Sequence, residues 1–145
     1  MPLYIFAGDQ LLCARLRPAT QDAAAGVVNE VTRIVAQLRQ RWPKVCIVLR
    51  ADSGFCREEL MAWCKQNHVD YLFGLACNER LRKRIDAQIE EARAQHLATG
   101  KAARVFTEFS YRTRKSWSCS RRVVVKAGIP GKRSLLAGVE GRVSR

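Results

Sequence analysis

The chain has no stretch approaching the roughly 20 apolar residues that span a bilayer, which argues against a helical membrane protein. Its first residues, MPLYIFAGDQ, show neither a basic lead-in nor a cleavage site. A signal peptide is therefore not expected, and a soluble, cytoplasmic protein is. No Cys-x-x-Cys pair occurs among the 6 cysteines, at positions 13, 46, 56, 64, 77 and 119. Zinc sites and disulfide frameworks usually show short paired spacings, so most of these thiols are expected to act as small buried apolar residues. Histidine is almost missing, with His68 and His96 the whole supply. Acidic residues are scarce too: 13 Asp and Glu stand against 26 Lys and Arg.

The 145 residues suffice for one domain with a real core. The formal charge of +13 is unevenly spread. Residues 1–77 carry 9 basic and 7 acidic side chains, whereas residues 78–145 carry 17 and 6. That asymmetry points to a polyanionic partner, of which nucleic acid is the commonest.

Periodicity divides the chain into elements. LYIFAGDQLLCARLRP reads as a β-hairpin around Gly8-Asp9, stopped by Pro18. Thr20 or Asp22 is placed to cap a helix whose apolar face is Val27, Val31, Ile34, Val35, Leu38 and Trp42, with Pro43 at its end. KVCIVLRAD reads as a buried parallel strand. REELMAWCKQNH follows as a helix, then VDYLFGLAC as a second short strand. This helix–strand–helix–strand order implies a β-α-β crossover and an α/β fold. From Asn78 one amphipathic helix carries Leu81, Ile85, Ile89 and Ala92 on one face and closes at Gly100. ARVFTEFSYRT and SWSCSRRVVVKA read as two strands joined at Thr113–Ser116. The remainder shows little pattern and 4 glycines, and is expected to be irregular.

Asp52 is the sharpest chemical candidate. It stands where the Ile47–Leu49 run gives out, an edge at which open α/β sheets gather ligands and catalytic groups. Its carboxylate could bind a hard cation such as Mg²⁺; equally, it could cap the helix that follows. Cys56 near a helix start, with His68 or His96, would suit a thiol nucleophile if either imidazole lay beside it. Two basic clusters stand out: Arg80, Arg82, Lys83 and Arg84, then Arg112, Arg114, Lys115, Arg121 and Arg122. They are candidates for DNA phosphates, while the interleaved Tyr111 and Trp117 could either pack or stack on bases.

VLRADSGF, followed by ELMAWCKQNHVDYLFGLACNERL, resembles bacterial insertion-sequence transposases of the DDE group, in the subgroup with an R-A-D-S-G-F motif. PLYIFAGDQLLCARLRP, DAAAG and SWSCSRRVVVKA resemble the same proteins in the same order, so the likeness runs over roughly residues 2–132. It implies a partial RNase H-like mixed sheet flanked by helices over residues 1–99. A β-rich insertion segment follows at 100–132, and an irregular tail at 133–145. It implies DNA as partner, at element ends and target, and two divalent ions such as Mg²⁺ held by three acids. Asp52 would be the second acid. The resemblance offers no position for the first Asp, which would precede the hairpin, and Asp9 in the hairpin turn does not take its place. Nor is the third acid carried onto Glu140, which stands between glycines rather than on a helix. The expectation is a truncated transposase fragment, inactive alone, with unpaired sheet edges that favour self-association or mixed assembly with full-length transposase. The alternative is a non-enzymatic, basic nucleic-acid-binding or regulatory fragment.

Overall fold

The computed structural model of the chain describes residues 2–130 and 138–144. The sequence opens with the hairpin its alternation predicts. Strand β1 (Leu3–Ala7) pairs antiparallel with β2 (Gln10–Arg15) through a turn in which Gly8 has φ +58°. Leu3 and Cys13 face inward, while Tyr4, Phe6 and Leu11 stay exposed.

Helix α1 (Val27–Arg41) begins later than its expected caps. Asp22 instead accepts the Ala24 amide at 2.8 Å in a local turn, and the left-handed Gly26 precedes the helix. Val27, Val31, Ile34 and Val35 are buried as their spacing predicts. Trp42 is a correction: it falls one residue past the helix, just before Pro43, and is 57% exposed.

Strand β3 (Val48–Ala51) and strand β4 (Asp70–Leu75) are parallel, connected through helix α2 (Glu58–Gln66). The expectation that β3 is buried is corrected. Among the described residues it pairs only with β4, and Val48 is 58% exposed. An apolar run was therefore no guide to burial on both faces. The burial falls on β4, where Tyr71 and Phe73 point into the core with their rings stacked at 4.9 Å.

The long amphipathic segment divides into helices α3 (Glu79–Arg84) and α4 (Asp86–Thr99), the break falling at Ile85. Its apolar face survives the break, because Leu81, Ile85, Ile89 and Ala92 are all buried. Asn78 caps α3 by accepting the Leu81 amide at 2.8 Å, and the left-handed Gly100 ends α4, both as expected.

Strands β5 (Ala103–Tyr111) and β6 (Arg121–Ile129) form an antiparallel ladder of nine residue pairs. The tail brings a further correction. Gly138–Ser144, expected to be irregular, forms strand β7, antiparallel to both β4 and β6. Backbone hydrogen bonds on both edges outweigh the poor strand propensity of its glycines. Residues 131–137, the first part of that tail, lie outside the described residues. The resulting order β3-β4-β7-β6-β5 is one mixed sheet, with β1-β2 a separate pair. A continuous core joins α1, α2, α3 and α4 to the inward residues of β4 and β6. The architecture is mixed α/β. Among the described residues no helix is long and apolar enough to cross a membrane.

Candidate functional site

Asp52 lies one residue beyond β3, in extended backbone, and is exposed. Its Oδ1 accepts the Gly54 amide at 2.8 Å and so caps a single 3₁₀ turn, Ser53–Phe55. The capping role is therefore present. Its other oxygen makes no hydrogen bond among the described residues, which leaves it able to meet a ligand.

What holds the turn in place is a glycine on the neighbouring strand. A Cβ on Gly74 of β4 would stand 2.8 Å from the Ser53 nitrogen and 3.1 Å from the Asp52 carbonyl carbon. Both are backbone atoms, so the turn would have to shift. The missing side chain lets the chain after β3 fold across β4. A glycine inside a strand pattern signals such a close approach, and LFGLA carried that signal unread. Gly74→Ala is expected to lower stability by about 1–3 kcal/mol, in line with overpacking elsewhere. Urea unfolding, with the Ser53 and Gly54 amide shifts followed by NMR, checks both the cost and the displacement.

The other flank is the 22–24 loop. Ala23 sits 3.3 Å from where a Gly54 Cβ would be, and Asp22 pairs with Arg57 at 2.8 Å. The hydrogen bond from Arg57 holds the Asp22 carboxyl below its ordinary range. The loop is fastened from below by the buried Arg17, whose Nη1 donates to the carbonyls of Ala23 and Ala25, each at 2.8 Å.

Cys56, just past the turn, is buried, and desolvation pushes its thiol up to about 11. The Arg121 and Arg57 charges oppose that rise without cancelling it. His68 follows α2, and His96 lies near the end of α4 with Nδ1 2.6 Å from the Lys101 carbonyl. Neither makes a thiolate–imidazole pair with Cys56, and all 6 cysteines are free thiols.

A two-ion site needs several oxygen donors converging. Among the described residues no group of three or more His, Cys, Asp or Glu is placed to hold a metal ion. Asp52 alone does not make that donor set, so the described residues do not by themselves fit the metal pair the resemblance implies. Glu140 falls within β7, a strand rather than the late helix where a third acid would stand.

The expected basic clusters are sorted by their partners. Arg121 is a correction, since it is withdrawn from the surface, with its side chain 6% exposed. Its guanidinium meets the Glu58 carboxylate at 2.9 and 3.0 Å, donates to the Tyr71 hydroxyl at 3.1 Å and lies over the Trp117 ring. Glu58 also accepts from the Ser118 hydroxyl at 2.5 Å. This network pins the start of α2 to β4 and β6, and sequence reading missed Glu58 altogether. Arg122 is exposed and paired with Glu108. Lys83 is exposed and 3.5 Å from Glu79. Arg80, Arg82, Arg84, Arg112, Arg114 and Lys115 are exposed with no carboxylate partner among the described residues. Tyr111 and Trp117 are buried against each other edge to face at 5.9 Å, which decides for packing over base stacking.

Among comparisons with known proteins, a family model described as transposase DDE domain group 1 matches residues 1–136. No curated protein matches the chain.

Proposed function

The chain belongs to the transposase DDE domain family, and from that premise we propose that it carries part of the strand-cleaving and strand-transfer domain of an insertion-sequence transposase, without turnover of its own. Asp52 is read as one acid of the metal-binding set, Mg²⁺ being the ion, and the basic surface after residue 78 as the DNA-facing side. The observation that supports this most is the placement of Asp52: an exposed carboxylate at the end of a parallel strand, on a turn seated against Gly74. The parallel β3–β4 pair in a mixed sheet supports an RNase H-like reading. The unpaired side of β3 among the described residues supports self-association or mixed assembly with full-length transposase, because open strand edges recruit other strands.

A second reading, a basic nucleic-acid-binding or regulatory fragment without turnover, is favoured by the lack, among the described residues, of any group of three or more His, Cys, Asp or Glu placed to hold a metal ion. Both readings give one expected outcome: this polypeptide alone does not nick DNA. A Mg²⁺-dependent assay on terminal-repeat DNA checks it. Nicking that disappears in Asp52→Ala would overturn the inactivity and establish a complete site.

A further inference from the structure

The two arginines at the ends of α3 are held in an unusual way. Arg80 and Arg84 are four residues apart and so share one helix face. The Arg80 guanidinium lies 5.5 Å from the centre of the Tyr111 ring, and that of Arg84 lies 4.5 Å from the centre of Phe109. Those rings alternate along β5 on its inward face, with centroids 6.3 Å apart. The ring pair is itself fixed. Tyr111 packs on Trp117, and its hydroxyl accepts from Asn78 at 3.3 Å, the residue that caps α3. Arg80 Nη1 also lies 3.5 Å from the Arg112 carbonyl.

We propose that Arg80 and Arg84 form a pre-oriented pair that clamps neighbouring phosphates of one nucleic-acid strand, with Phe109 and Tyr111 as their supports. The inference rests on the DNA-facing reading above and deepens it. Stacking restricts two long side chains before any ligand arrives, so less ordering remains to be done on binding. Four residues of helix rise about 6 Å, and each nucleotide of one strand advances only about 3.4 Å along the duplex axis, so the two guanidinium groups are spaced widely enough to meet neighbouring phosphates. Both rings already carry a guanidinium, so neither serves as a base platform. Recognition is through the backbone and indifferent to sequence. Arg114 and Lys115, in the connection after β5, have no such support and contribute charge only.

The test is fluorescence polarisation of a labelled DNA duplex of arbitrary sequence, titrated with salt. For the wild-type chain log affinity falls linearly with log salt. Replacing Arg80→Gln and Arg84→Gln together should flatten that slope by about 0.9 for each lost contact. Arg84→Lys keeps the charge and loses the planar stack. It should leave the slope unchanged while affinity falls about two- to fivefold. Phe109→Leu should behave as Arg84→Lys does. The clamp is overturned if the double Gln variant keeps the wild-type slope, or if Arg84→Lys and Phe109→Leu both bind as the wild type does. Absence of salt-dependent binding by the wild-type chain would instead remove the DNA-facing reading itself.

Discussion

Arg121→Ala is expected to cost about 3 kcal/mol of folding stability, the low end of what breaking a buried ion pair costs. The low end applies because the Glu58 side chain keeps 27% of its exposure, so water screens part of the charge left behind. The same change also strips a hydrogen bond from the Tyr71 hydroxyl and a cation from the Trp117 ring. A double-mutant cycle with Glu58→Ala, read by urea unfolding, isolates the pair. The double variant should lose clearly less than the two single losses added together. Additive losses would mean that the two side chains act independently.

The same pair sets a pH dependence. Burial alone would raise the Glu58 carboxyl, but hydrogen bonds from Arg121 and Ser118 outweigh it and hold the group below its ordinary 4.5. A carboxyl with a depressed folded pKa binds fewer protons folded than unfolded. Its stabilisation is therefore full at neutral pH and is lost as pH falls below about 4.5 toward the folded value. Removing Arg121 should flatten that acid limb of the stability curve.

Phe73→Ala carries the other large effect, about 3–5 kcal/mol, the usual cost of emptying a buried aromatic site. Phe73 is fully buried, stacked on Tyr71, and lies in β4 between Ala51 of β3 and Val143 of β7. Since marginal stability is about 5–15 kcal/mol for domains generally, this single cavity removes a large share of the total. Thermal unfolding followed by circular dichroism measures it. A shift no larger than that of an exposed Phe106→Ala control would show that β4 is not the centre of the core.

What could be read from the residues depended on whether the signal was local. The hairpin, α2, the Asn78 cap and the Gly100 stop each rest on neighbours a few positions apart, and each stands where the pattern puts it. Burial depends on partners far along the chain and was legible only in part. Val48 and Phe73 both sit in apolar runs, yet one is exposed and the other sealed. Strand β7 went unseen because it is defined by open hydrogen-bonding edges on β4 and β6 rather than by its own composition. Arg121 misled for a similar reason. A basic residue among basic residues suggests a surface, and only the fold brings Glu58 to it across 63 positions. Asp52 itself was legible as a carboxylate at a strand's end, whereas the Gly74 seat beneath its turn was not.

The most direct measurement is a Mn²⁺ titration of the isotopically labelled chain, with amide broadening read by NMR. The proposed role of Asp52 predicts weak binding, half-saturating no tighter than about 10⁻³ M, since a lone carboxylate leaves the ion most of its waters. Broadening should centre on Ser53, Gly54 and Gly74 and vanish in Asp52→Asn. Broadening that centres elsewhere, or that persists in Asp52→Asn, would contradict it.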